Sequence, residues 1–328
     1  MKQRVLSGMR PSGKLHLGHL HGALSNWVEL QKNYECFYFV ADWHALTTEY
    51  EKTDKIKQDS VDMVIDWLSV GLDPEKSTIF VQSKLLEHAE LHLLLSMITP
   101  LSWLERCPTY KEQLKEIKTR DIHTYGFLGY PVLQAADILI YKADNVPVGE
   151  DQLPHLELTR EIARRFNSFY GNVLIEPKAL LTKTPRIPGT DGRKMSKSYN
   201  NCIYLSDTPE IISKKISSYI TDPARIHATD KGHPDICGIF PLQEIYCENH
   251  NEIAENCKKG TIGCVKCKKL LAEKIIKSLE PIHKKQQEIK NNRHLINDVL
   301  HKGNQKAKVI VEKTMLEVRK SLKLWNME

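Results

Sequence analysis

The chain is poor in the residues that mark fibrous, stapled or membrane-spanning proteins. Its 328 residues hold only 16 glycines and 15 prolines, which excludes a collagen-like repeat and leaves no low-complexity linker. No internal repeat is visible. No run reaches the roughly 18 consecutive apolar residues that a membrane helix needs, so no membrane partner is expected. The opening Met1-Lys2-Gln3-Arg4 leads straight into a strand pattern and does not read as a signal peptide. A cytoplasmic location is the expectation. The chain is too long for a small disulfide scaffold and buries its core without staples, although it holds eight cysteines. Net charge is small as well: 47 Lys+Arg against 41 Asp+Glu gives +6.

What is present is ordinary in bulk and uneven in placement. The hydrophobic share is 41% and the charged share 27%, as in soluble globular proteins, which excludes disorder. The length suggests two domains. Residues 1–200 carry 25 basic and 25 acidic side chains, whereas residues 201–257 carry 4 and 9. Residues 258–328 carry 18 basic and 7 acidic, a net of +11. Solvated lysine-rich helices explain such a tail, and so does a polyanionic partner such as RNA.

Strand and helix patterns alternate through the first half. Residues 4–9, 36–41 and 77–82 read as short strands, with helices at 17–31 and 54–69 between them. Helices follow at 86–98, 110–117 and 131–141, then an extended piece at 145–148 and an amphipathic helix at 151–167. Strand-like pieces fall near 173–187. Pro185, Pro188, Gly189 and Gly192 mark a mobile loop that runs to about residue 200. Alternation of this kind predicts an α/β fold, a Rossmann-type doubly wound parallel sheet. Beyond residue 207 the pattern is helical, at 209–219, 267–290 and 303–322, with an irregular stretch at 222–266. The expected division is a catalytic domain over 1–200 and a C-terminal α-helical domain over 201–328.

Two short motifs carry chemistry. Arg10-Pro11-Ser12-Gly13-Lys14-Leu15-His16-Leu17-Gly18-His19 sits where the first strand turns into the first helix, the usual nucleotide site of such folds. Ser12 and Gly13 allow close approach of backbone to phosphate, and the helix start at Gly18 offers free N–H groups. His16 and His19, three apart, are expected on one helical face, able to donate to phosphate oxygens. Lys194-Met195-Ser196-Lys197-Ser198 lies on the Gly/Pro-rich loop. Its two lysines and two hydroxyls suit a segment that closes over a triphosphate. A helix-capping turn and a solvated basic loop are the plainer explanations of each motif taken alone.

Together the pair HLGH and KMSKS resembles the signature of the class I aminoacyl-tRNA synthetases. Further blocks narrow the resemblance: YPVLQAAD at 130–137, VPVGEDQ at 146–152, HLELTREIARRFN at 155–167 and GNQKAKVIVEKTMLEVRKSL at 303–322 are similar to the tryptophanyl-tRNA synthetases of bacterial type. The resemblance covers essentially the whole chain. It implies ATP with Mg²⁺, L-tryptophan and tRNA(Trp) as reactants, and a homodimer. His16, His19, Lys194 and Lys197 would stabilise charge at the phosphates. Arg10, Pro11, Ser12, Gly18, His19, Ile187, Met195, Ser196 and Ser198 would hold ATP with the two lysines. Gly149, Glu150 and Asp151 would line its ribose. Asp137 would accept the indole N–H in an apolar pocket, where a lone carboxylate is costly. Tyr130 and Gln152 would hold the amino-acid ammonium. Gln134 stands where many bacterial tryptophanyl enzymes place Met, and Gln followed by Asp is also how tyrosyl enzymes grip a phenol.

Five cysteines, Cys237, Cys247, Cys257, Cys264 and Cys267, fall within 31 residues. Cys264-Val265-Lys266-Cys267 is a CxxC, and four thiolates suit an iron–sulfur cluster or tetrahedral zinc. Some tryptophanyl enzymes carry a 4Fe–4S cluster with the same C-x6-C-x2-C ending, which implies Cys237, Cys257, Cys264 and Cys267 as ligands. The gap after Cys237 is shorter than in that pattern, so Cys247 is a rival ligand. Lys258, Lys259, Lys266, Lys268 and Lys269 interleave with them and would face RNA. Alternative functions are a tyrosyl enzyme of the same fold, a tRNA-binding or metal-sensing homologue without aminoacylation, and a small-molecule nucleotidyltransferase.

Overall fold

The computed structural model describes residues 2–116, 121–181, 187–227 and 229–325. Five strands, β1 (Arg4–Met9), β2 (Glu35–Val40), β3 (Ser77–Val81), β4 (Asn145–Val148) and β5 (Lys178–Leu181), form one sheet in the order β3-β2-β1-β4-β5. Every pairing is parallel. Side chains alternate across the sheet as a period of two requires. Val5 and Tyr38 enter one core with Trp27 and Trp67, while Leu6, Phe37 and Phe39 enter the other with Phe80 and Tyr141. Burial on both faces explains the nearly continuous apolar run of β2.

The first crossover contains a departure from simple helix. Residues 17–30 pass from α-helix through a π-helical turn at Leu20–Leu24 and back. A helix at Asp42–Glu49, which follows β2 directly, is not among the elements expected from the sequence. The helix expected at 131–141 begins at Tyr125 instead. Thr124 caps it by accepting from the Phe127 N–H, and Pro131 sits inside its first half. The last residue of the helix expected at 110–117 and Pro185 lie outside the described residues.

The stretch 222–266 is less irregular than its composition suggests, with helices at Phe240–Tyr246 and His250–Lys258. Two long helices, Cys264–Asn291 and Arg293–Ser321, then return to the sheet. The first packs on the Ile56–Ser69 helix and shares the Val5–Tyr38 core through Leu271, Ile275 and Leu279. The second lies along β3, an edge strand, and places Ala307, Val311 and Met315 in the other core. Gly303 touches the Ile79 backbone so closely that a Cβ would overlap it, and Asn304 Oδ1 accepts the Val81 N–H at 3.0 Å. The edge strand is thus covered rather than left open. Arg319 pairs with Glu90, and Lys142 with Glu317 at 2.6 Å.

Candidate active site and cysteine cluster

Reversal of strand order beside β1 opens a crevice at the carboxyl ends of β1 and β4. The Arg10–His19 turn leaves β1 there. His16 is the N-cap of the following helix, in extended conformation (φ −126, ψ 173), not a residue on its face. Its Nδ1 accepts the Gly18 N–H at 3.0 Å, and His19 Nδ1 accepts the His16 N–H at 3.2 Å. Both Nδ1 atoms are therefore bare, and each ring keeps its proton on Nε2 as a donor. Burial, then the Lys197 charge, brings the His16 pKa down to about 4. Burial, then His16 and Lys197, holds His19 well below its ordinary value. Two neutral N–H donors result.

The KMSKS loop closes onto this turn. Lys197 Nζ donates to the carbonyls of Ser12 (2.9 Å) and Gly13 (3.0 Å). Gly13, at φ +89, occupies the left-handed region that glycine tolerates. Burial lowers the Lys197 pKa to about 8, against the opposing charge of Asp59. Met195 is buried and its N–H donates to Ile187 O at 2.9 Å, which anchors the loop beneath Lys194 and Ser196. Lys194 itself is exposed. Asn201, which sequence reasoning passed over, organises the loop by accepting the Ser196 N–H and donating to Lys194 O and Asp191. Ser196 and Ser198 hydroxyls lie 2.8 Å apart. Gly149, Glu150 and Asp151 follow β4 as a short turn, with both carboxylates exposed and Gln152 donating to Asp151 at 3.0 Å.

A cavity of about 340 Å³ lies beside these loops. Its wall contains Gly8, Arg10, Phe39, His44, Phe127, Tyr130, Gln134, Asp137, Val148, Gln152 and His155. Asp137, Tyr130 and Gln152, read from one short stretch of sequence, are thus brought together with Arg10. Asp137 is 1% exposed and accepts hydrogen bonds from Gln82 (2.8 and 2.9 Å), His44 Nε2 (2.8 Å) and His88 Nδ1 (2.6 Å). Burial opposes its ionisation, yet the bonds from His44 and His88 prevail and hold the pKa at about 2. The carboxylate is an acceptor only, so each partner donates. His88 Nε2 also lies 2.9 Å from the Tyr141 hydroxyl. Tyr130 lies 2.7 Å from His155 Nε2, which also approaches Cys107 Sγ at 3.4 Å. His44, Gln82, His88 and Cys107 carried no motif signal, because their partners are distant in sequence, and His155 opened the HLELTREIARRFN block without a role being read for it.

The cysteines separate into two environments. Cys237, Cys257, Cys264 and Cys267 are half-buried; Cys257 feels the charge of Cys237 and Cys264, and Cys267 that of all three others. Arg225 Nη1 lies 3.7 Å from Cys257 Sγ and 3.9 Å from Cys264 Sγ, and Gln243 Nε2 donates to Cys267 Sγ at 3.2 Å. Burial, then the neighbouring sulfurs, pushes the Cys267 thiol up to about 12. Cys247 is buried, and Lys274 rather than another sulfur acts on it. Among the described residues, no three His, Cys, Asp or Glu side chains stand at metal-holding distances as they are. No described helix is long and apolar enough to cross a membrane.

Known proteins resemble the chain over nearly its whole length. A family described as tRNA synthetases class I (W and Y) matches residues 1–280. A tryptophan–tRNA ligase of Thermotoga maritima is 53% identical, with 98% of this chain and 99% of that protein covered. One of Aquifex aeolicus is 45% identical, covering 98% and 100%. The solved tryptophanyl-tRNA synthetase of Campylobacter jejuni, complexed with ADP and tryptophan, superposes with a TM-score of 0.89 at 33% identity, covering 98% of this chain and 100% of that one.

Proposed function

The chain belongs to the class I tRNA synthetase family for tryptophan and tyrosine, and from that premise we propose that it ligates L-tryptophan to tRNA(Trp) through tryptophanyl-AMP. The observation that carries the reading is the convergence of the His16–His19 turn, the Lys197 loop and the Asp137 cavity at one end of the sheet. The tryptophan carboxylate attacks the α-phosphate of ATP and pyrophosphate leaves. A hydroxyl at the tRNA 3′ end then takes the acyl group and AMP leaves. No side chain need form a covalent bond. Catalysis is positioning plus stabilisation of phosphate charge.

His16 and His19 supply neutral N–H donors, and Lys194 and Lys197 supply positive charge. Arg10, Pro11, Ser12, Gly18, Ile187, Met195, Ser196 and Ser198 complete the ATP site, with Gly149, Glu150 and Asp151 at the ribose. Mg²⁺, when bound with ATP, offsets negative charge on the phosphates. Tyr130 and Gln152 hold the ammonium, and Asp137 governs recognition of the indole N–H. Gln134 keeps a tyrosyl enzyme in play as the outcome to exclude.

The division at residue 200 separates this machinery from a helical part that meets tRNA with its basic end. The set Cys237, Cys257, Cys264 and Cys267 fits a 4Fe–4S cluster or zinc by chemistry: four thiol groups share one charge environment, and Arg225 is placed to offset thiolate charge. Such a group would tie the 237 turn to the 250–258 and 264–291 helices. The exposed apolar side chains Leu86, Leu93, Met97, Leu101 and Tyr125 suit a homodimer contact. The cytoplasm is the compartment such a reaction serves.

Incubation with tryptophan, ATP, Mg²⁺ and pyrophosphatase, followed by mass spectrometry, tests the reading. Tryptophanyl-AMP is expected without tRNA and is discharged when tRNA(Trp) is added. Absence of the adenylate would favour a homologue that binds tRNA without charging it.

A further inference from the structure

We propose that His155 is a positioning residue for amino-acid recognition: it holds the Tyr130 phenol so that an oxygen lone pair, not the hydroxyl proton, faces the substrate ammonium. This rests on the reading above in which Tyr130 meets that ammonium. A tyrosine hydroxyl both donates and accepts. Left free beside a cation, it must turn its proton away before it contributes. Behind it lie His155 Nε2 at 2.7 Å and Cys107 Sγ at 3.8 Å, and in the tautomer with the ring proton on Nδ1 the bare Nε2 takes the phenol proton.

His155 is built to hold this geometry. It is 2% exposed and sits in the first turn of the Leu153–Tyr170 helix, three residues after Gln152. Its backbone carbonyl accepts the Thr159 hydroxyl at 2.9 Å. Its Nδ1 is buried with no partner among the described residues, so the ring's polar contacts are those of Nε2 with Tyr130 and Cys107. Both Tyr130 and His155 line the same cavity as Gln152. One short segment therefore supplies a direct polar contact and the residue that orients another.

The test separates positioning from packing by using ligands with and without the ammonium. In tryptophan-dependent pyrophosphate exchange, His155→Phe should raise the tryptophan KM about tenfold, the value of one neutral hydrogen bond, with kcat within about twofold. Inhibition by tryptamine, which has the ammonium, should weaken to the same degree. Inhibition by indole-3-propionate, which lacks it, should change by less than about twofold. His155→Gln, whose amide can reach the phenol, should restore most of the affinity. His155→Leu replaces the Phe variant if that protein does not fold. Equal weakening of all three ligands, or none, overturns the proposal while Tyr130→Phe still raises the tryptophan KM. No effect of Tyr130→Phe would overturn the assignment of Tyr130 itself.

Discussion

The Lys197 ammonium rests 2.9 Å from the Ser12 carbonyl oxygen, bridging the late lysine loop to the turn after β1 across 185 positions of sequence. The Ser12 and Gly13 carbonyls that receive it belong to the turn proposed to meet the phosphates. When ATP arrives, the ammonium can exchange carbonyl oxygens for phosphate oxygens. Lys197→Ala should therefore slow adenylate formation by about a hundredfold or more while the tryptophan KM moves little. Equal losses in both would contradict the role.

The same lysine predicts a pH dependence. Its pKa lies near 8 because burial disfavours the ammonium. The charged form dominates below that value and is lost above it. For the free enzyme, kcat/KM for ATP should fall as pH rises through about 8. Lys197→Arg, whose side chain stays charged, should move that fall to higher pH.

These contacts show how far the sequence could be read. The strand at 4–9 and the alternation behind it were legible, because apolar residues and their breakers lie next to each other. The helix at Asp42–Glu49 was not, since its run mixes polar and apolar residues with little periodicity. Consequently His44 was missed, and its partner Asp137 lies 93 positions away. Pro131 read as a helix start because the Thr124 cap seven residues earlier was overlooked. Asp137 was found by motif, but not that three buried side chains already bond to it.

Asp137 should matter to stability as well as recognition. Asp137→Ala leaves His44, Gln82 and His88 without their acceptor, a loss of about 3–5 kcal/mol in denaturant unfolding. The wild-type carboxylate has its pKa lowered on folding, to about 2. Its stabilisation is complete above the unfolded carboxylate pKa and fades as pH falls toward about 2. The acid side of the unfolding curve should be flatter in the variant.

His16 combines a cap with a donor, and two substitutions separate them. His16→Ala removes both, lowering stability by about 1 kcal/mol and slowing exchange. His16→Asn supplies a good N-cap but not the Nε2 donor. It should melt close to wild type yet exchange as slowly as the alanine variant. Recovery of rate with the cap would refute the donor role.

Cysteine variants test the metal proposal. After anaerobic purification, Cys264→Ser should lose bound iron or zinc, whereas Cys247→Ser should retain it, since Cys267 feels the charge of Cys237, Cys257 and Cys264 and not that of Cys247. Metal loss on Cys247→Ser alone would reverse the ligand assignment.

The central claim is most directly tested by exchange of labelled pyrophosphate into ATP with tryptophan, tyrosine or neither present. Tryptophan should support exchange with kcat/KM at least about 10³ above tyrosine, given a cavity that binds the substrate by hydrogen bonds. Tyrosine equal to or better than tryptophan, or exchange with neither, would contradict the account.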